Sequence, residues 1–497
     1  MNLIVPILRH AAQHPNRIAL TQGEQSHTFS TLVQGMRKVA KGLQQHGLKH
    51  DKIAILSTNR IEFVEVFLGA IYAGCVPIPL DPKWSTNELT AIIEQCQPKM
   101  IFAEAKLAGK AENAVSMDRE IQTLTFSSEQ QRGSYTHWLD TLRPEAEMND
   151  TNELLFIGFT SGTTGLPKGY MRTHLSWIKS FEASNDAFQL DNMEHVLAPG
   201  PFVHSLSLFA LMQSLYSGAT FHITQKFSAK EVLQLCEQNP NAVLFVVPTM
   251  IESLMQQAIP GMAQLQALIS SGAKWSELSK KKVKEVFGEA RLYESYGSSE
   301  ASYISYSDVL AENKPNSVGK PFRGVQISIR DEHFREVPTG VIGQLFIRSD
   351  MMFLGYHQLP EETSAVFRDG WLILEDYVYQ DEAGYLYMAG RLKNQIVSGG
   401  LNIYPEEIET VLEQIPEIQE VMVLGVSDDY WGERLTALVK WNGEQRVSIE
   451  EIKDYCRQHL ASYKAPKQLL TVEQFIHTSS GKIARQAMKD YVKRAIV

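Results

Sequence analysis

Apolar residues recur at helical spacing over residues 7–20 and 30–47 and predict two helices, with Gly47 stopping the second. Ile53-Ala54-Ile55-Leu56 reads as a strand, Ile61 to Tyr72 as an apolar helix ending at Gly74, and Val76 to Pro82 as an extended segment. The alternation runs on through Lys99–Ala103 and predicts an α/β sheet built from βαβ units. Beyond the polar stretch Asn149–Glu153, Leu154-Leu155-Phe156-Ile157 reads as a buried strand and His174–Phe188 as a helix. Strands at Thr220–Thr224, Ala242–Val247 and Ala267–Ser271 then alternate with helices at Ala229–Gln238 and Met250–Ala258. The four lysines between Lys280 and Lys284 read as the solvated face of a helix that turns Val283, Val286 and Phe287 inward.

The pattern changes twice more. From Gly319 to Tyr387 the segments are short, β-like and punctuated by Pro and Gly, and Gly390 to Pro405 is a charged, Gly-containing connector. A compact set follows: helix Glu406–Gln414, strands Val421–Val426 and Leu435–Trp441, helix Ile449–His459. The predicted fold class is α/β, with a large N-terminal α/β domain of several subdomains over residues 1–390 and a smaller α+β C-terminal domain over 391–497.

Composition narrows the function. In 497 residues, 44% hydrophobic and 21% charged residues describe a globular chain rather than a disordered one. A net charge of -10 argues against nucleic acid as a partner but leaves room for anionic ligands at a locally positive site. Cys75, Cys96, Cys236 and Cys456 form neither a CxxC pair nor a disulfide framework, and no Cys/His cluster has zinc spacing. The segment Met1–Pro6 lacks the charged start of a signal peptide, and no run approaches the roughly 18 apolar residues of a membrane span. A cytoplasmic location is expected.

Candidate chemistry begins at residues 159–169, Phe-Thr-Ser-Gly-Thr-Thr-Gly-Leu-Pro-Lys-Gly. A strand opening into Gly, Ser and Thr can expose backbone N–H groups and hydroxyls to phosphate oxygens, with Lys168 adding a mobile charge. Lys168 precedes Gly169, so the order is not that of a Walker A loop, and a P-loop kinase is disfavoured. Composition alone equally allows a flexible surface loop.

Further blocks decide between these. Tyr296-Gly297-Ser298-Ser299-Glu300, Gly370-Trp371-Leu372-Ile373-Leu374-Glu375-Asp376, Gly390-Arg391-Leu392-Lys393-Asn394-Gln395-Ile396, Gly399-Gly400-Leu401-Asn402-Ile403-Tyr404-Pro405-Glu406-Glu407 and Ser480-Gly481-Lys482-Ile483-Ala484-Arg485 follow the loop in order. Together they resemble the adenylate-forming superfamily of acyl-CoA synthetases, adenylation domains and luciferase-type enzymes, over nearly the whole chain. The departures are Ser299 for threonine, Leu374-Glu375 for Thr-Gly before Asp376, Ser271-Gly272 for a double glycine, and His477 for proline.

In that family ATP and a carboxylate give an acyl-adenylate and pyrophosphate, and a thiol then displaces AMP. The resemblance implies that Thr160, Ser161, Gly162, Thr163, Thr164 and Lys168 hold phosphates, and that Glu300, with Thr163, holds Mg²⁺. Lys482 is implied to act where the carboxylate meets the α-phosphate. Gly272 and Ala273 let the nucleotide approach the backbone, Tyr296 stacks on adenine within the block containing Gly297 and Ser299, and Asp376 and Arg391 meet the ribose. Lys393 marks the hinge of a mobile C-terminal domain, and Gly399 and Gly400 pass the pantetheine arm of coenzyme A. Taken singly, Tyr296 also fits a buried structural tyrosine, Asp376 a turn, Arg391 a linker, and Gly399-Gly400 an ordinary turn before the helix at Pro405.

His204 sits where acyl-CoA synthetases often have a gating His or aromatic residue, although a structural histidine fits as well. Amino-acid-activating relatives tend to have an Asp there, so an acid without an α-amine is expected. The apolar residues Leu206, Leu208, Phe209, Leu211 and Met212 point to a fatty acid, or simply to the core of a helix. Coenzyme A is the expected acceptor. The alternatives are a ligase loading a carrier protein, which would be a separate chain since no carrier domain follows Val497, and a non-catalytic relative.

Overall fold

The computed structural model describes residues 2–115, 121–127, 133–149, 152–160, 167–259, 261, 264–273, 275, 277–287, 290–311, 314–391, 394–398, 401–428, 431–478 and 481–496. Among these residues the strands form five sheets. The first βαβ run makes a parallel sheet in the order Val76–Leu80, Lys52–Leu56, Met100–Glu104, Gln122–Phe126. Pro77 and Pro79 are tolerated because Val76–Leu80 is the edge strand of that sheet, where a missing N–H breaks no ladder.

The second run makes a nine-stranded sheet whose parallel centre includes Ala242–Val246, Leu265–Ser271 and Arg291–Ser298. Its far side corrects the sequence reading. The first helix is Ile4–Gln13, and residues 18–22 are a strand, Ile18–Gln22, rather than the end of a helix. Pro15 follows the helix too closely for it to continue, and Ile18–Gln22 pairs in parallel with Thr220–His222, a partner that local periodicity does not reveal. The lysine-rich helix Glu277–Phe287 buries Val283, Val286 and Phe287, as expected. Lys280, however, is not on a solvated face: its Nζ lies 2.7 Å from Glu294 Oε2, with side chains 11% and 6% exposed.

The hydroxyl-rich loop joins Leu154–Thr160 to Lys168–Thr173 in a small antiparallel sheet, and the Pro/Gly-punctuated region makes a further sheet around Trp371–Gln380. The C-terminal domain has its own sheet and two cores, one on each face. Val421 and Val423 pack with Ile408, Leu412 and Ile452, while Met422 and Leu424 pack with Met488 and Val492, as the two-residue period of a strand requires. Helix Ile449–His459 begins at a capping box between Ser448 and Glu451.

One buried group has a consequence for stability. Glu65, on the apolar helix Ile61–Tyr72, is 6% exposed and accepts a hydrogen bond from Tyr135 Oη at 2.8 Å. Burial pushes its carboxyl up from 4.5 to about 7. The folded state therefore holds this proton more tightly than the unfolded chain. The contribution is full below pH 4.5 and is lost as pH rises through about 7. Glu65→Gln keeps an acceptor for Tyr135 and is expected to stabilise the protein at pH 8 by roughly 2–3 kcal/mol, with little effect below pH 4.5, as read by denaturant midpoints.

Candidate active site

The hairpin delivers the two ends of its loop to one place. Thr160 and Lys168 are register partners, and both line a cavity of about 880 Å³. The chain leaves the loop as a strand, not as the helix that follows a Walker A loop. Ser161, Gly162, Thr163 and Thr164 lie outside the described residues, as do Lys393, Gly399 and Gly400. Lys168 Nζ sits 5.4 Å from the ring centroid of Tyr356, a cation–π contact within the same cavity.

The same cavity is lined by His204, Gly272, Gly297, Ser299, Glu300, Asp376, Arg391, Gly481 and Lys482. Sequence positions from 160 to 482 thus converge. Lys482 comes from the second domain, in a loop where Lys482 N donates to Thr478 Oγ1 and Thr478 N donates to the Lys482 carbonyl at 2.7 Å. Gly481 lets that loop reach the large domain: it has φ +80°, and a Cβ there would lie 2.5 Å from Thr249 Oγ1. Gly297 is equally constrained, since a Cβ would fall 2.0 Å from the Ser302 carbonyl oxygen.

Asp376 and Arg391 are opposed on neighbouring antiparallel strands. Arg391 Nε donates to Asp376 Oδ1 at 2.7 Å, and Tyr296 Oη donates to Oδ2 at 2.6 Å. Coulombic attraction to Asp376 holds the Arg391 guanidinium above its usual pKa, while burial and Asp376 push the Tyr296 hydroxyl well up. Each carboxylate oxygen keeps a free lone pair for a further donor such as a ribose hydroxyl. Tyr296 braces Asp376, which lines the cavity together with Gly297, and Ala273 is exposed.

Glu300 Oε1 accepts from Tyr356 Oη at 3.0 Å, and its carbonyl accepts from Phe353 N at 2.7 Å. Burial and Glu300 together drive the Tyr356 hydroxyl pKa up, so it stays a donor. No group of three or more His, Cys, Asp or Glu among the described residues could hold a metal unaided. The Glu300 carboxylate at the cavity wall suits Mg²⁺ that arrives on a triphosphate rather than a metal caged by protein.

His204 precedes helix Ser205–Ser217, and burial lowers its pKa despite Asp81 nearby. Its Nε2 is buried without a hydrogen-bond partner among the described residues. Of the helix residues, Leu206 and Phe209 line the cavity, while Leu208, Leu211 and Met212 are core. His477, which stands in place of proline, bonds Glu420 Oε2 at 2.8 Å, so that departure serves the C-terminal sheet.

The sequence reading missed Arg172. It lines the cavity yet is only 3% exposed. Nε donates to Ser176 Oγ at 3.2 Å, Nη1 to the Ser299 carbonyl at 3.0 Å, and Nη2 to the Met351 carbonyl at 2.7 Å. It thus ties the segment carrying Glu300 to two others, beside a hydroxyl chain from Tyr170 through Ser205 to Ser299. The available signal was a charge inside the strand Lys168–Thr173. Arg172→Met strips two buried carbonyls of their donor and is expected to cost about 2 kcal/mol in urea unfolding. Arg172→Lys should not restore it, since one ammonium does not span three separated acceptors.

The cavity brings a hydroxyl-rich hairpin and a braced carboxylate together with a lysine of the C-terminal domain, as the resemblance to adenylate-forming enzymes implies. The family model described as AMP-binding enzyme matches residues 7–357, and that described as AMP-binding enzyme C-terminal domain matches 407–482. An uncharacterised acyl-CoA ligase of Bacillus subtilis, YhfT, is 34% identical over 98% of this chain and 97% of its own length. VraA of Staphylococcus aureus, provisionally named a long chain fatty acid-CoA ligase, is 30% identical over 98% of each chain. The crystal structure of ATP-bound MatB from Rhodopseudomonas palustris is similar at a TM-score of 0.89, with 26% identity over 99% of each chain. The chain belongs to the AMP-binding enzyme family, within the adenylate-forming superfamily.

Proposed function

We propose that the protein is an acid–thiol ligase that activates a fatty acid with ATP and passes the acyl group to coenzyme A. In the first step a carboxylate oxygen bonds to the α-phosphorus of ATP, the bond to the bridging oxygen breaks, and pyrophosphate leaves. In the second, the thiolate of coenzyme A bonds to the acyl carbon, and AMP leaves with the electron pair of the broken acyl–oxygen bond, the thiol proton going to solvent. The observation that carries this reading is that Lys482, Thr160, Lys168, Glu300 and the Asp376–Arg391 pair line one cavity.

Two anions must meet in the first step, so their repulsion has to be offset and their approach aligned. Lys482 supplies the cation at the meeting point. The loop from Thr160 to Lys168, including Ser161, Gly162, Thr163 and Thr164, grips the phosphates that leave. Asp376 and Arg391 hold the ribose, with Tyr296 bracing Asp376; Gly272, Gly297 and Ser299 border the nucleotide. Mg²⁺ held by Glu300, with Thr163, would supply further charge neutralisation. His204, neutral at its lowered pKa, gates the acyl end. A domain boundary at residues 390/391, a hinge at Lys393 and a pantetheine path past Gly399 and Gly400 complete the scheme, which suits a cytoplasmic enzyme.

The test is product analysis with ATP, Mg²⁺, a fatty acid and coenzyme A. AMP and the acyl thioester are expected in equal amounts; ADP as product, or acyl transfer only to a carrier protein, would sink the assignment.

A further inference from the structure

Part of the cavity lining is a wall of aromatic rings. Trp177 from helix His174–Phe188, Phe209 from helix Ser205–Ser217 and Tyr303 from strand Ser302–Asp308 line it, 2%, 7% and 7% exposed. Trp177 and Phe209 meet edge to face with centroids 5.7 Å apart, and Phe209 and Tyr303 are perpendicular at 5.4 Å. A second aromatic layer lies behind: Phe181 is 5.0 Å from Phe209, and Phe322 stacks on Tyr303 at 4.6 Å. The wall is anchored, because Ser302, at φ +61°, shares a hydrogen bond of 2.8 Å with Ser180 of the same helix as Trp177. The polar lining from Thr160 to Arg391 serves phosphates and ribose, and the lining residues Phe227, Met250 and Ser253 are partly exposed. The aromatic wall is therefore the buried, ring-lined part of the cavity.

Resting on the acid-activating part of the reading above and replacing its general fatty acid with a size class, we infer that this chain takes compact acids, short-chain fatty acids or single-ring acids of like size, and that Trp177 with Phe209 sets the length limit. The magnitudes agree. The cavity of about 880 Å³ must take both ATP and the acid. Pockets of roughly 300–1,000 Å³ ordinarily hold a single drug-sized ligand. A long acyl tail would have to push methylenes into two packed aromatic layers, and misfits of one or two methylenes already cost about 10- to 200-fold in discrimination.

The experiment is pyrophosphate release across a linear series from butanoate to hexadecanoate, with benzoate and phenylacetate, for the wild type, Trp177→Leu, Trp177→Ala and Phe209→Leu. In the wild type kcat/KM is expected to peak on a short or single-ring acid and to fall about 100-fold by dodecanoate. The trimmed variants should move the optimum to longer chains, and the leucine variants keep an apolar side chain in place should Trp177→Ala fail to fold. Equal use of hexadecanoate and hexanoate by the wild type overturns the inference alone. So does an unmoved optimum in folded leucine variants. Silence with every acid overturns the acid-activating reading itself, and the size limit with it.

Discussion

Lys482→Ala is expected to lower acyl-adenylate formation by about 100- to 1,000-fold, while thioester formation from supplied acyl-adenylate stays near the wild-type rate. The size follows from removing a preorganised charge from the point where charge is greatest in the transition state. The split follows from position: Lys482 lies in the C-terminal loop that Gly481 lets approach Thr249, and the second half-reaction needs no neutralised α-phosphate. Lys482 is exposed and outside both C-terminal cores, so stability should hardly move. Arginine should rescue poorly, because a broad planar fork does not replace a compact ammonium. Single-turnover measurement of each half separates the outcomes, and equal loss in both would contradict the role.

Glu300→Gln is the second large effect. The amide oxygen can still accept from Tyr356 and the backbone bond to Phe353 is unchanged, so the segment keeps its place while losing one negative charge. Half-saturating Mg²⁺ is expected to rise about 10- to 100-fold, with turnover falling in step at limiting metal. Titration of ATP turnover with Mg²⁺ reads it directly. An unchanged Mg²⁺ requirement would remove Glu300 from the metal.

Much of the fold was legible where the signals are local. Helices His174–Phe188, Ala229–Gln238 and Ile449–His459 were read to the residue, because Thr173, Ser228 and Ser448 cap them with their own side chains. Local signals say nothing of partners two hundred residues away, which is why periodicity extends the first helix over residues 18–20, where the structure has the start of a strand paired with Thr220–His222. Lys280 was misread for the same reason, its carboxylate partner lying on another element.

The candidate site divides along similar lines. The ordered motifs identified residues that converge on one cavity, from Thr160 to Lys482. They did not give the contacts each side chain makes: Tyr296 donates to Asp376, and Ala273 is exposed. Arg172, Tyr356, and Trp177 and Tyr303 of the aromatic wall lay outside the motifs altogether. Their importance comes from what they touch, and only folding brings Arg172 to Ser299 and Met351, or Trp177 to Phe209.

The proposed function requires that an acyl-adenylate form before any thiol takes part. ATP–pyrophosphate exchange, measured across compact acids with Mg²⁺ but without coenzyme A, tests it most directly. Exchange that depends on the acid and disappears in Lys482→Ala is the predicted result; no exchange with any acid, from a folded protein, would contradict it.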